Sequence, residues 1–165
     1  TEHDPKGRQT IFDILPKSLP RVMAIGRLDY DSEGLLLLTN NGETSRKLEL
    51  PSTGWLRKYK VRVHGFVNPQ DLEKLRNGIK LKDFKTGSID ANLEIQKGAN
   101  AWVLIGIREG KNREVRRVMD FLGYPVNRLI RLSYGPFQLG NLKRGEVSEI
   151  NKNVISSQLG IMHKF

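Results

Sequence analysis

Cysteine is absent from the 165 residues, so this chain can build neither a disulfide framework nor a zinc site on thiolates. It also lacks any run of about 18 apolar residues, the length that a membrane-spanning helix needs. The opening residues TEHDPKGRQT contain no apolar segment typical of a secretory signal. The histidines, His3, His64 and His163, are too scattered to suggest a metal site. We expect a cytoplasmic protein with no membrane span, metal or cofactor.

Acidic residues are in short supply. The chain has 18 Asp and Glu against 28 Lys and Arg, which gives a formal net charge of +10 and an isoelectric point near 10.0. An excess of this size favours a polyanionic partner, usually nucleic acid. Hydrophobic residues make up 38%, enough for one domain with a real core. The composition therefore predicts one compact, nucleic-acid-binding unit.

Strand patterns outnumber helix patterns along the chain. Arg57–His64 alternates with period two, which places Tyr59 on an apolar side and leaves the other side basic. Residues 112–122 keep the apolar spacing of one helix face. Strands in adjacent runs favour an α+β fold with a mostly antiparallel sheet. Further strands are predicted at Leu35–Thr39, Ile79–Lys82, Ser88–Gln96, Ala101–Arg108, Val126–Leu132 and Val147–Ile150, and further helices at Glu43–Leu50 and Asn68–Arg76.

The stretch GRLDYDSEGLLLLTNNGE, residues 26–43, places acids at Asp29, Asp31 and Glu33. A calcium-binding EF-hand loop would need a bidentate acid where Asn40 stands, and it would lie between two helices. Here the loop leads into a strand-like leucine run, so calcium binding is disfavoured. Asp31 and Ser32 are expected to hydrogen-bond the local backbone of a turn.

Asp29 needs another explanation, because a carboxylate in a nucleic-acid-binding cleft repels phosphate. It could neutralise an arginine, or it could act as an activated carboxylate that attacks or accepts a proton. Composition and spacing leave both alternatives open.

A second cluster lies in residues 108–131, where seven basic residues face three acids. On a helical wheel, Arg113 and Arg117 lie opposite the apolar face, which suits a solvated surface. Arg116 lies at the boundary of that face, where it could enter a cleft and hold a carboxylate. Lys111 and Asn112, near the helix start, are candidate phosphate contacts. The basic residues are Arg108, Lys111, Arg113, Arg116, Arg117, Arg128 and Arg131.

The aromatic residues have simpler expected places. Trp55 and Trp102 are expected in the core. Tyr59 is expected to pack within its strand, although an aromatic ring beside a nucleic-acid cleft could also stack on a base.

Four segments in order resemble the RsuA/RluB-type ribosomal RNA pseudouridine synthases. GRLDYDSEGLLLLTNNGE resembles their catalytic motif, and RKYKVRV their tyrosine-bearing motif. EGKNREVRRVM resembles their third motif, and LIRLSYGPFQLGNLKRGE the stretch after it. The resemblance runs from about Gly7 to Ile150. It implies a pseudouridine synthase fold, a long bent sheet flanked by helices with a central cleft.

The resemblance also implies roles for particular residues. Asp29 would be the catalytic aspartate, and Tyr59 would pack on the target uracil and act on its C5 proton. Arg116 would pair with the aspartate, with Arg113 as the alternative. Whether the carboxylate adds covalently or removes the sugar 2′ proton to give a glycal stays open. The expected RNA-binding residues are Arg27, Lys111, Asn112, Arg113, Arg117 and Arg128.

The expected partner is ribosomal RNA, with the large-subunit 23S molecule favoured over 16S. Members of the family usually carry a small S4-type domain ahead of the catalytic domain, and the sequence predicts that residues 1–165 are the catalytic domain alone. Asp-Ser-Glu follows Asp29-Tyr30 where the family more often has a threonine-containing loop. A monomer is expected. The alternative function is a non-catalytic RNA-binding or ribosome-assembly module.

Overall fold

The computed structural model describes residues 4–49, 54–151 and 153–155. Its helices are α1 (Ile11–Ile14), α2 (Gly42–Glu49), α3 (Pro69–Glu73, continued by the 3-10 turn Lys74–Asn77) and α4 (Glu114–Phe121). Its strands are β1 (Met23–Ile25), β2 (Glu33–Gly34), β3 (Leu37–Thr39), β4 (Arg57–His64), β5 (Asp90–Lys97), β6 (Asn100–Ile107), β7 (Val126–Tyr134) and β8 (Phe137–Gln138). Within the described ranges, no helix is long and apolar enough to cross a membrane.

The main sheet has the strand order β2-β7-β4-β6-β5, and β8 pairs with β7. All of its pairs are antiparallel except β2 with β7, which run parallel. Strands β1 and β3 form a separate antiparallel pair. The α+β fold with a largely antiparallel sheet is therefore confirmed. Register shifts in the β4–β7 and β5–β6 pairs mark irregularities, and such bulges bend a sheet.

The alternation of buried and more exposed side chains along β4 shows which side of the sheet is buried. Tyr59, Val61 and Val63 are buried and belong to the larger core cluster, together with apolar side chains of α3 and α4. We call this side the inner face and the opposite side the outer face. A smaller cluster packs Tyr134 with apolar residues of β1, β3 and α2.

Most predicted elements are confirmed, with bounds that differ by a few residues. Asn68 caps α3 as predicted, because its side chain accepts a hydrogen bond from the Gln70 N–H. Two predicted strands are wrong. Residues 79–82 contribute only an isolated bridge between Lys80 and Lys85, and residues 147–150 form no strand. The last residue of the predicted helix 43–50 lies outside the described residues, and the helix is observed as Gly42–Glu49.

Candidate active site

The segment 26–35, which we call the Asp29 loop, is fastened at both ends. At its start, the Gly26 N–H donates a 2.7 Å hydrogen bond to Oε1 of Glu49 in α2. At its end, the Leu35 N–H donates to the Arg131 carbonyl of β7 at 2.9 Å, next to the parallel β2–β7 pairing. A turn closed by the Ser32 N–H and the Asp29 carbonyl at 2.9 Å lies between these anchors. The loop therefore holds Asp29 in a fixed place at the sheet edge.

Asp29 faces two guanidinium groups. Its side chain is 19% exposed. Oδ1 lies 3.3 Å from Nη2 of Arg27, a side chain that is itself 79% exposed. Oδ2 lies 3.7 Å from Nη1 of Arg113. Both distances are long for charge-assisted hydrogen bonds, so the Asp29 carboxylate keeps capacity for a further partner.

Asp31 is bound by Arg113, which precedes α4, and by Arg116 of α4. Its two carboxylate oxygens accept hydrogen bonds from Nη1 and Nη2 of Arg113 at 3.0 and 2.9 Å, in a bidentate pair. Nη2 of Arg116 donates to the Asp31 carbonyl at 2.6 Å, and its Nε lies 3.5 Å from Oδ2. The hydrogen bonds from Arg113 hold the pKa of Asp31 below its ordinary value and raise the pKa of Arg113.

These contacts correct the prediction for Asp31 and Ser32. The Asp31 carboxylate is engaged by arginines more than 80 residues away in sequence instead of capping its own turn. The Ser32 hydroxyl is buried and has no hydrogen-bond partner in the part of the chain that the structure describes. Long-range charge pairing has displaced the local hydrogen bonds that the sequence favoured.

Arg113 is also exceptional in its backbone. It precedes α4 with φ of 50°, in the left-handed region that residues with a Cβ seldom adopt. Such a conformation costs about 1–3 kcal/mol and persists where surrounding contacts fix it. The bidentate pair with Asp31 is such a contact. Of the two arginines considered for pairing with Asp29, Arg113 is the one within 4 Å, while Arg116 contacts Asp31.

Tyr59 lies on the inner face of the sheet and is 8% exposed. In the register of β4 with β7, its direct partner is Arg131. Arg131 is 3% exposed, and its Nε donates to the carbonyl of Leu35 at 2.8 Å. Arg131 thus connects the strand of Tyr59 with the end of the Asp29 loop.

Neither Arg131 nor Arg57 was among the residues predicted for the site. Both are buried on the inner face, and Nη2 of Arg57 donates to the Tyr134 hydroxyl at 3.0 Å. A signal was available, because Arg57 shares the strand parity of Tyr59, and Arg131 that of the buried Leu129. An arginine at an inward-facing strand position is unusual and needs either a structural or a functional explanation.

The other predicted RNA-binding residues are divided between different surfaces. Nζ of Lys111 donates to the Lys85 carbonyl at 2.7 Å, and Arg117 pairs with Asp83. The guanidinium of Arg117 also lies 4.7 Å from the Phe84 ring centroid. Asn112 is exposed between Lys111 and the start of α4. Lys111 and Arg117 thus contact segment 83–85, whereas Arg27 and Arg113 adjoin Asp29.

Arg128 lies on the outer face of the sheet, away from the side of Tyr59. It forms a bidentate ion pair with Glu33 at 2.9 and 3.0 Å. Trp102 also lies on this face, with Nζ of Lys60 4.8 Å from its ring centroid. The prediction that Trp102 is a core residue is therefore wrong, because its strand parity places it opposite the core. Trp55, in contrast, packs on Tyr134 and Phe137 of the smaller cluster, as predicted.

A carboxyl pair lies at the start of α4. Burial, together with the neighbouring Glu109, raises the pKa of Glu114 to about 7. Oε1 of Glu114 accepts a hydrogen bond from the Lys111 N–H at 3.2 Å, while its Oε2 is buried without a hydrogen-bond partner among the described residues. Over the same residues, no group of three or more histidine or acidic side chains is arranged to hold a metal ion.

Comparison of the chain with known proteins shows the family to which it belongs. The family model described as RNA pseudouridylate synthase matches residues 1–121. An uncharacterized RNA pseudouridine synthase of Rickettsia prowazekii is 43% identical over 164 residues, which cover 96% of this chain and 67% of that protein. The ribosomal large subunit pseudouridine synthase B of Pasteurella multocida is 40% identical over 166 residues, covering 98% of this chain and 48% of that protein.

A solved structure of a pseudouridylate synthase matches with a TM-score of 0.78 at 30% identity, over 89% of this chain and 64% of that one. The fold and the sequence therefore define an RNA pseudouridine synthase domain, and the chain belongs to that family. Within it, the similarity to large-subunit synthase B places the chain in the RsuA/RluB-type group. The chain spans about half to two thirds of the length of these relatives.

Proposed function

We propose that this domain converts a specific uridine of ribosomal RNA into pseudouridine, with Asp29 as the catalytic carboxylate. The observation that carries the proposal is the setting of Asp29. It lies in a loop fastened at both ends, and its oxygens keep their nearest cations at 3.3 and 3.7 Å. A carboxylate held in place but not saturated by its partners is available to a substrate.

The reaction is an isomerisation that balances without a redox partner. The N1–C1′ bond breaks, the uracil turns, and a C5–C1′ bond forms. The proton on C5 leaves to solvent, and N1 takes up a proton. Asp29 either adds covalently or removes the 2′ proton of the sugar; the two routes differ in the intermediate and not in the product.

Each of the other site residues has a separate proposed role. Tyr59 packs on the uracil and acts on the C5 proton. An arginine of α4 pairs with Asp29, and the geometry favours Arg113 for direct contact, with Arg116 fixing the backbone of the loop. Arg27, Lys111, Asn112 and Arg117 contact phosphates near the site. The target uridine must leave its stack, at a cost of a few kcal/mol, so a loop or an irregular helix is the preferred substrate.

We further propose that the substrate lies in 23S rather than 16S RNA. The name of the Pasteurella multocida relative, a ribosomal large subunit synthase, supports this choice. We infer that residues 1–165 form the catalytic domain and that it works as a monomer in the cytoplasm without a cofactor.

The test is tritium release from 23S RNA labelled at C5 of uracil. Wild-type protein should release tritium, and Asp29→Asn should bind RNA equally well and release none. Asp120→Asn is the matched control, because Asp120 is an exposed acid of α4, and it should behave as wild type. Turnover by a clean Asp29→Asn preparation would refute the site. RNA binding without release by wild type would favour the non-catalytic RNA-binding module.

A further inference from the structure

Two arginines are buried beside Tyr59 without a carboxylate partner. Arg131 is 3% exposed and Arg57 is 9% exposed. In the part of the chain that the structure describes, neither forms an ion pair with Asp or Glu. Burial lowers the pKa of Arg131, since desolvation disfavours its charged form. An unpaired buried charge costs several kcal/mol, so these positions need a reason to be arginine.

Arg57 and Arg131 differ in how their guanidinium groups are bonded. Arg57 is satisfied by Tyr134, since its Nη2 donates to the phenolic oxygen and its guanidinium lies 4.8 Å from the ring centroid. The Tyr134 hydroxyl donates onward to the Leu48 carbonyl at 3.0 Å. Arg57 is therefore connected through Tyr134 to Leu48 of α2, and it supports the smaller core by these contacts.

Arg131 is not satisfied in this way. Its Nε bonds the Leu35 carbonyl, and its guanidinium lies 5.3 Å from the ring centroid of Tyr134. Its Nη2 is buried and has no hydrogen-bond partner among the described residues. Arg131 is the direct cross-strand partner of Tyr59, and both side chains are buried on the same face of the sheet. A hydrogen bond with the Tyr59 hydroxyl partly opposes the effect of burial on the pKa of Arg131. The guanidinium of Arg131 therefore adjoins Tyr59 and keeps a donor with no partner among the described residues.

We propose that Arg131 is a positioning residue of the active site, which acts on the substrate through Tyr59. This inference rests on the proposed function. When the N1–C1′ bond breaks, the electron pair stays on the uracil, which packs on Tyr59. The fixed positive charge of Arg131, beside the phenol in surroundings of low dielectric constant, polarises the Tyr59 hydroxyl and ring, and through them stabilises that negative charge. The hydrogen bond to Leu35 also fixes the Asp29 loop relative to the ring.

The test compares Arg131→Met with Arg131→Lys in the tritium-release assay, with kcat and KM measured separately. Loss of the guanidinium should lower kcat about 10- to 100-fold and leave KM within about threefold. This is less than the roughly 100- to 1000-fold loss of a donor that contacts the reacting group, because Arg131 acts through Tyr59. Lys restores the charge without the planar fork, so it should recover part of kcat. Arg131→Gln gives a second neutral variant if Arg131→Met does not fold.

Two controls separate this role from a structural one. Arg57→Met removes the other buried arginine and should lower the melting temperature while the folded protein keeps kcat within about threefold. In the Tyr59→Phe background, Arg131→Met should cause little further loss of kcat, because the two residues act as a unit.

The outcomes are distinct. Normal kcat in folded Arg131→Met or Arg131→Gln, or fully additive losses with Tyr59→Phe, would overturn the role of Arg131 while the proposed function stands. Absence of tritium release from wild type would overturn the proposed function, and this inference with it.

Discussion

Replacement of Asp31 by Asn tests whether α4 holds the Asp29 loop in place. The change keeps the shape of the side chain but removes the charge that accepts two hydrogen bonds from Arg113. It also leaves Arg116 without the carboxylate 3.5 Å from its Nε. A charge-assisted hydrogen bond contributes about 1.5–3 kcal/mol when buried. The Asp31 and Arg113 side chains are 29% and 37% exposed, so solvent screens the pair considerably.

With that discount, we expect Asp31→Asn to lower the free energy of unfolding by about 1–2 kcal/mol. For a protein of this size, each 1 kcal/mol corresponds to about 2–4 °C, so the melting temperature should fall by about 2–8 °C. Activity should fall about tenfold rather than vanish, because Arg113 loses the partner that fixes its left-handed backbone. Thermal denaturation and tritium release are the two assays.

The pH dependence gives the same prediction an independent check. The pKa of Asp31 is lowered in the folded protein, so the unfolded chain binds its proton more readily. The stabilisation is therefore present above the unfolded pKa of about 4 and is lost as the pH falls through the lower folded value. Asp31→Asn should flatten this acid-side loss. An unchanged melting temperature together with an unchanged acid profile would refute the conclusion that Arg113 and Arg116 hold the Asp29 loop in place through Asp31.

Three further substitutions, one of them a control, test the packing and the charge state of residues near the site. Gly34 has φ of +110°, and a Cβ there would overlap the backbone of Arg131, so Gly34→Ala should cost more than about 3 kcal/mol in urea denaturation. Gly98→Ala, at φ +56° with open space around it, should cost only about 1 kcal/mol, and equal costs would contradict the packing argument. The pKa of about 7 at Glu114 exceeds its unfolded value of 4.5, so the free energy of unfolding of wild type should decrease between about pH 4.5 and pH 7. Glu114→Gln should remove most of that decrease in melting curves at pH 5 and pH 8, and an unaltered decrease would show that a group other than Glu114 is responsible.

The elements that could be predicted are those whose pattern is local. Strand β4 was predicted with its observed bounds because polar and apolar residues alternate from Lys58 to His64. Helix α4 was predicted because Val115, Val118 and Met119 form one buried stripe. The short elements α1, β1, β2 and β8 were missed because each has only two to four residues, too few to show a period.

The site divides in the same way. Asp29, Arg113 and Arg116 could be proposed as site residues because their motifs are continuous in sequence. The ion pairs of Asp31 could not, since they join segments more than 80 residues apart. Arg131 was one of seven basic residues in a charged run. Its strand parity with Leu129 was a weak signal that its side chain faces inward, and the register with Tyr59 and its burial show that it does. Charge in a sequence does not reveal burial, so a buried arginine is easily mistaken for a solvated one.

The three acids of the Asp29 loop differ in how closely arginines bind them. Asp31 is bound by Arg113, which precedes α4, and Glu33, two residues later, is bound by Arg128 on the outer face of β7. The loop is thereby held from two sides by its second and third acids. Asp29 receives only longer contacts, at 3.3 and 3.7 Å, although its side chain is only 19% exposed. Because the neighbouring acids form the close ion pairs, the loop is fixed without close contacts to Asp29, and the oxygens of Asp29 keep capacity for a further partner.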